Sequence, residues 1–188
     1  MGETTEVDYG PLTHLVGTWK GAEGVDLAPE PDGAETSPYF ETLVFTAIGD
    51  VTNAEAQTLA VVHYRQIVHR KSTGEVFHDE TGYWLWDATT GTVMKSFTIP
   101  RGVSLVAGGS HVGETDADGR TVIRVRAGLD DPDWRIVQSP FMRDNATTTE
   151  FRHEIIVGAD SLDYSETTMV DIYGKSFEHT DRNRLRRA

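Results

Sequence analysis

The amino-acid sequence predicts an all-β protein whose strands close into an antiparallel up-and-down β-barrel of about ten strands. Three observations lead to this fold class. Apolar and polar residues alternate with a period of two along most of the chain; Val, Ile, Thr and aromatic residues dominate these stretches; and short glycine-containing segments separate many of them. A meander of this kind leaves two exposed sheet edges unless the sheet closes on itself, so a closed barrel is expected.

Ten segments carry the strand pattern, and short turn-like segments connect several of them. The strands are predicted at 15–21, 40–50, 58–70, 75–87, 92–100, 103–109, 121–128, 147–157, 161–174 and 175–188. Tight turns are predicted at 71–75, 87–92, 116–120, 157–161 and 173–176, where glycine stands beside Asp, Ser, Thr or Lys.

Three stretches interrupt the meander. The segment "AEGVDLAPEPDGAETSPY", residues 22–39, is rich in proline and glycine and is predicted to be a long loop. The segment "YGPLTHLVG", residues 9–17, predicts one short helical turn before the first strand. Residues 128–147 have no clear pattern.

Length and composition indicate a single domain spanning residues 1–188, with residues 1–10 as a flexible N-terminal tail. The chain has 30 acidic and 17 basic residues and a formal charge of −13, so we expect neither a nucleic acid nor an anionic membrane as partner. The basic C-terminal run "RNRLRRA" is interpreted as the outer face of a strand.

The absence of cysteine and the polar, acidic start "MGETTEVDYG" favour a cytoplasmic protein. A closed barrel has no strand-pairing reason to dimerise, although other surfaces leave a homodimer possible. Hydrolase, kinase and dehydrogenase motifs are missing from the sequence, which disfavours those classes.

The last predicted strand raises the question of a site. Strand alternation places Phe177, His179, Asp181, Asn183 and Leu185 on one face, and the other face is polar. The face that carries His179 combines apolar residues with polar groups that need hydrogen-bond partners when they are buried. His179 is therefore predicted to point into the barrel, either as a structural histidine bonded to Asp181 or as a ligand in a cavity.

Several ordered motifs resemble the nitrobindins, a haem-binding β-barrel family that is also described as fatty-acid-binding-protein-like and belongs with the lipocalin-like barrels. The motifs are "LVGTWKG", "FETLVF", "EVFHDETGYW", the turn "IPRGV", and a methionine and a histidine ten residues apart, Met169 and His179. The first contains Gly-x-Trp-x-Gly, with Trp19 as the expected plug of the barrel. The third contains His-x-Glu-x-Gly-Tyr, starting at His78.

The resemblance implies haem b at the barrel mouth, with His179 as the axial ligand of a ferric iron. It implies that Phe77 and His78 lie on the distal side, that Met169 contacts the haem, and that the protein handles nitric oxide or isomerises peroxynitrite to nitrate. Asp181 is the expected hydrogen-bond acceptor for the second ring nitrogen of His179. Arg101, which stands where the family usually has threonine, is expected at the mouth, where it could pair with a propionate.

The departures from the family pattern support an alternative. The run "HTDRNRL" replaces apolar neighbours of His179 with Asp181 and Asn183. In this alternative the protein is a non-haem, lipocalin-like binding protein for a small amphipathic or carboxylate-bearing molecule, oriented by Arg101, Asp181 and Asn183. Both hypotheses place a small-molecule ligand in the barrel.

Overall fold

The computed structural model describes residues 7–188, which form eleven strands, a 3-10 turn and one short helix. The 3-10 turn is Gly10–Leu12. The strands are β1 (Gly17–Glu30), β2 (Gly33–Asn53), β3 (Gln57–Arg70), β4 (Val76–Asp87), β5 (Thr92–Ile99), β6 (Val103–Ser110), β7 (Thr121–Gly128), β8 (Ile136–Gln138), β9 (Ala146–Val157), β10 (Ser161–Ile172) and β11 (Lys175–Arg187), and the helix is α1 (Pro140–Asn145).

Ten of the strands form a closed antiparallel barrel, which confirms the predicted fold class. Each of β1 to β6 pairs with the strand that follows it up to β7, β7 pairs with β9, β9 to β11 continue the meander, and β11 pairs with β1. The extra strand β8 shares one edge of β6 with β7: Gly108 pairs with Arg126, and Val103–Leu105 pair with β8. The predicted turns at 71–75, 87–92, 116–120, 157–161 and 173–176 fall at the hairpin connections.

The predicted loop over residues 22–39 is wrong, because this segment forms a strand hairpin. From Gly24 to Glu30, β1 pairs with residues 33–39 of β2 on the two sides of a turn at Pro31 and Asp32. Pro29 and Pro38 both lie within the ladder, opposite Ala34 and Val25. Composition favoured a loop at this position, but pairing with two neighbours stabilises the strand conformation, a tertiary effect that outweighs local propensity.

Residues 128–147, the stretch without a clear sequence pattern, contain β8 and α1. Ser139 caps the helix: its side-chain oxygen accepts a hydrogen bond from the backbone N–H of Met142, and Pro140 occupies the first helical position. Among the described residues, no helix is long and apolar enough to cross a membrane.

One end of the barrel is plugged by Trp19, which is completely buried with Leu12 and Leu15 of the N-terminal segment. Its indole N–H donates to the carbonyl of Leu15 at 2.7 Å. The predicted helical turn is present, and it delivers these leucines to the core. The expected tail at residues 1–10 lies mostly outside the described residues, and Tyr9 within it accepts a hydrogen bond from the backbone of Gly49.

Arg187 covers the outer side of this plug. Its guanidinium carbon lies 4.2 Å from the centre of the Trp19 ring, and its N–H groups donate to the carbonyls of His14, Val16 and Ala159 at 2.6–2.8 Å. The C-terminal arginine run is therefore not uniformly solvated. Arg186 faces water, whereas Arg187 ties the last strand to the N-terminal segment.

We predict that Arg187→Ala lowers the free energy of unfolding by about 1–3 kcal/mol, because it removes three charge-assisted hydrogen bonds and a cation–π contact. Arg186→Ala, one residue earlier on the exposed face, is the matched control and is expected to change it by less than about 0.5 kcal/mol. Urea unfolding followed by tryptophan fluorescence measures both. Equal losses in the two variants would contradict the role assigned to Arg187.

Candidate functional site

His179 lies on the inner face of β11 with 31% of its side chain exposed. Its Nε2 is 2.6 Å from Oδ1 of Asp26 and 3.4 Å from Oδ2 of Asp181. Asp26 is almost completely buried. Ligand atoms of these three residues lie within 4.8 Å of one another, so the imidazole is clamped by two carboxyl groups.

The pairing of the first strand with the last brings Asp26 to this position. Asp26 stands directly opposite Asp181 in the β1–β11 register, and side chains of paired residues project to the same face of a sheet. Sequence reasoning named Asp181 as the acceptor for His179, but Asp26 makes the shorter contact. It was missed because it lies within the segment predicted to be a loop.

Two carboxyl groups in direct contact cannot both hold a full negative charge cheaply. The pKa of Asp181 is raised well above its ordinary value, first by burial and then by repulsion from Asp26 and Glu166. Asp181 therefore keeps its proton to a higher pH than an ordinary aspartate does, and this proton relieves the repulsion between the two carboxyl groups. His179 thus faces a pair of carboxyl groups with a reduced total charge.

Phe77 and His78 lie at a β-bulge on the neighbouring wall. The register of β3 and β4 shifts between Val68 and His69, opposite these two residues. The Phe77 ring makes an edge contact with the buried Tyr39 ring, at a centroid distance of 6.3 Å. The bulge therefore allows adjacent residues to face the interior, which strict alternation would forbid.

His78, whose side chain is partly exposed, pairs with the buried Glu80. Its Nε2 is 3.6 Å from Oε2 of Glu80. Burial lowers the pKa of His78, but the hydrogen bond and the attraction to Glu80 raise it more, and the net shift is upward. The following Gly82 is required sterically, because a Cβ at this position would lie 2.0 Å from the carbonyl oxygen of Ser96.

The structure does not bring Met169 to His179. Met169 is paired with Glu178 and Glu150, whereas Thr168 is the residue opposite His179. Successive residues of a strand face opposite sides, so Met169 lies on the outer face of the wall whose inner face carries His179.

Arg101 is exposed in the turn between β5 and β6, next to the bulge. One of its terminal nitrogens donates to the carbonyl of Phe77 at 3.4 Å. The structure therefore places Arg101 beside Phe77 at the mouth. Among residues 7–188 it forms no ion pair with a carboxylate.

Below the mouth, the centre of the barrel holds a buried lysine. Lys95 is 1% exposed, and its Nζ lies 3.0 Å from Oε1 of Glu80, 3.3 Å from Oε2 of Glu166 and 3.0 Å from Nδ1 of His153. The Tyr64 hydroxyl donates to Glu80. Four aromatic rings surround the ammonium group at 4.4–5.9 Å, those of Tyr64, Trp84, Phe97 and Phe151. We call Lys95, Glu80, Glu166 and His153 the lysine cluster.

Lys95 contacts both glutamates of this cluster, and the pKa values of the two glutamates are shifted in opposite directions. Burial raises the pKa of Glu80, but attraction to Lys95 and the bonds from His78 and Tyr64 lower it to about 2. The pKa of Glu166 is raised, chiefly by burial, and attraction to Lys95 offsets only part of that effect. Glu80 is therefore the carboxylate that compensates the buried ammonium.

A second polar network lies beside the lysine cluster. Glu41 is buried and accepts hydrogen bonds from the Asn183 amide at 2.7 Å, the Gln66 amide at 2.6 Å and the Tyr164 hydroxyl at 2.9 Å. The pKa of Glu41 is raised, mainly by burial. We call Glu41, Gln66, Tyr164 and Asn183 the glutamate network.

These side chains fill much of the lumen that the sequence suggested would be open. A cavity of about 10 Å³ remains at the centre, lined by residues of both networks. A larger cavity of about 490 Å³ is lined mainly by outward-facing residues of β1, β10 and β11, such as Leu27 and Thr180, and it also reaches Glu166 and Asp181. The central cavity is too small for a ligand larger than about one water molecule.

Sequence reasoning missed most of the lysine cluster. Lys95 carried a usable signal, because it alternates with the apolar Val93 and Phe97 on β5 and must therefore face inwards with them. Glu166 shares an inner face with Leu162 and Tyr164 in the same way. No local pattern revealed that these groups meet, since they come from strands far apart in the sequence.

We predict that Lys95→Met lowers the free energy of unfolding by about 3–5 kcal/mol, because it leaves Glu80 as an uncompensated buried charge. The double variant Lys95→Met, Glu80→Gln should recover part of that loss. Arg65→Met breaks the exposed ion pair with Asp79 and should cost about 0–1 kcal/mol. Chemical denaturation at pH 7 tests the set, and a double variant less stable than Lys95→Met alone would contradict the charge argument.

The comparisons with known proteins agree with this architecture. The family model described as THAP4-like, heme-binding β-barrel domain matches residues 8–187. The crystal structure of Rv2717c from M. tuberculosis aligns with a TM-score of 0.67 and 22% sequence identity, covering 96% of this chain and 99% of that chain, and so shares the fold. No curated protein matches significantly. The nitrobindin resemblance is confirmed: this chain belongs to the THAP4-like, haem-binding β-barrel domain family.

Proposed function

We propose that this protein binds ferric haem b at the barrel mouth through His179, and that it handles nitric oxide or isomerises peroxynitrite to nitrate. The observation that carries the proposal is an inward-facing histidine, near the mouth, whose ring is held by a buried carboxyl group. The chain belongs to a haem-binding family, and His179 is the residue that the resemblance assigns to the iron.

The donor set fits such a ligand. A neutral imidazole can bind iron through one nitrogen while the other donates to an acceptor, which also fixes the ring and raises its basicity. Asp26 is that acceptor for Nε2. Within residues 7–188, Nδ1 of His179 makes no hydrogen bond, so it is the nitrogen that carries the available lone pair in this arrangement.

The surroundings of His179 combine apolar surface with negative charge. Phe177 and Val170 form an inward-facing cross-strand pair beside it, and Phe77 lies at the mouth. Asp26 and Asp181 supply acidic groups close to the ring. Negative charge near the ligand favours the ferric state, since that state carries the higher positive charge.

The chemistry itself would belong to the cofactor, which would supply an iron able to react with nitric oxide or peroxynitrite. His179 would hold the group, Asp26 would orient the His179 ring, and the side chains that fill the centre of the barrel would keep the group near the mouth. His78, with its raised pKa, is the protonatable group on the wall that carries Phe77.

The first test is a titration of the purified protein with haemin, followed by absorbance. We expect a saturable one-to-one Soret band for the wild type and a loss of affinity of about tenfold or more for His179→Ala, because the axial ligand is removed. His63→Ala is the matched control, since His63 lies on the outer face beside Tyr83. An equal change in haemin affinity for both substitutions would contradict the proposal that His179 binds haem.

A second prediction distinguishes the contribution of Asp26 to haem binding from that of Met169. Asp26→Ala should weaken haem binding by about tenfold, because the ring loses the carboxyl group that holds it. Met169→Ala should leave the affinity unchanged, since Met169 lies on the opposite face of the wall from His179. The same titration measures both variants. A loss confined to Met169→Ala would contradict the assignment of faces.

A further inference from the structure

The hydrogen bonds of Lys95 determine the tautomer of His153. An ammonium group has three N–H donors and no acceptor. Lys95 donates to Oε2 of Glu166 at 3.3 Å and contacts Nδ1 of His153 at 3.0 Å, and its Nζ forms an ion pair with Oε1 of Glu80 at 3.0 Å. Nδ1 of His153 also lies 3.2 Å from Oε2 of Glu166. Since Lys95 can only donate, Nδ1 of His153 is the acceptor in that contact.

The proton of the neutral His153 ring therefore lies on Nε2. The pKa of His153 is lowered well below its ordinary value, first by burial and then by repulsion from Lys95, so the ring is neutral at pH 7. His153 is 8% exposed, and its Nε2 has no hydrogen-bond partner within the described part of the chain. Leaving a buried donor without a hydrogen-bond partner is unfavourable, so a partner is expected.

His153 is one of the residues that line the central cavity. The volume of this cavity is about 10 Å³, and its polar lining consists of His153, Lys95, Gln66, Tyr64 and Tyr164. A space of this size holds about one water molecule. Both hydrogen bonds of the Gln66 side chain are made by its Nε2, to Glu41 and Tyr164, which leaves its Oε1 as an acceptor in the lining.

We propose that one internal water molecule binds in this cavity, accepts a hydrogen bond from Nε2–H of His153 and donates to Oε1 of Gln66. His153 belongs to the lysine cluster and Gln66 to the glutamate network. The water therefore joins two buried networks that share no direct hydrogen bond among residues 7–188. The site selects a neutral acceptor of one heavy atom, and it does not depend on whether haem is bound.

The joined network has a chemical consequence. Glu41 and Glu166 both have raised pKa values, so each is a carboxyl group poised to hold a proton inside the barrel. A water between the two networks completes a continuous chain of hydrogen bonds from Lys95 through His153 and Gln66 to Glu41. The lumen then holds one hydrogen-bonded unit that extends from Lys95 to Asn183.

A high-resolution crystal structure of the wild type tests the proposal directly. We expect a water peak within hydrogen-bonding distance of both Nε2 of His153 and Oε1 of Gln66. A cavity with no peak, or an Nε2 atom that bonds a protein acceptor, would overturn it. This outcome is separate from the haemin titration, because it concerns a site that the cofactor does not touch.

Water ¹⁷O relaxation dispersion provides the matching solution experiment. His153→Phe removes the donor and Gln66→Met removes the acceptor, and we expect each to lower the number of long-lived internal waters by about one. His63→Phe, on the outer face, should leave that number unchanged. Two variants are used so that a folding defect in either one still leaves a test. An unchanged dispersion in the folded variants would contradict the site.

Discussion

The structure depends on the pairing of the first strand with the last. The β1–β11 ladder closes the barrel, and at one end it brings Arg187 onto Trp19, while near the other it sets Asp26 against Asp181 and His179. Closure is favoured because an open sheet would leave two unpaired edges. The same backbone hydrogen bonds that remove the edges thus assemble both the plug and the carboxyl groups around His179.

The second constraint is electrostatic. Among residues 7–188, one buried ammonium group, that of Lys95, occupies the lumen, and more carboxyl groups than cations surround it. The balance is reached by unequal protonation: Glu80 is held ionised by Lys95, whereas Glu166, Glu41 and Asp181 have raised pKa values. Buried charges require partners and hydrogen bonds, so the aromatic rings and amides around this cluster leave little room for a ligand.

This filling distinguishes the chain from a barrel with an open lumen. His179 and the bulge at Phe77 both lie near the mouth, whereas the cavity at the centre has a volume of only about 10 Å³. The polar residues that depart from the family pattern also have structural roles: Asn183 donates to Glu41, and Asp181 shares His179 with Asp26. The polar side chains beside His179 are therefore held in place by contacts with other buried side chains.

The sequence by itself determined the fold class, most strand positions, the hairpin turns and the inward direction of His179, because a period of two and glycine-containing turns are local properties of the chain. Only the tertiary structure decided which groups meet. Asp26 reaches His179 across 153 positions of sequence, and Lys95 reaches Glu166 across 71. The tertiary structure also made the proline-rich segment 22–39 part of a paired strand hairpin and placed Met169 on the outer face of the wall. Strand partners and register are set by closure of the whole sheet and not by local composition.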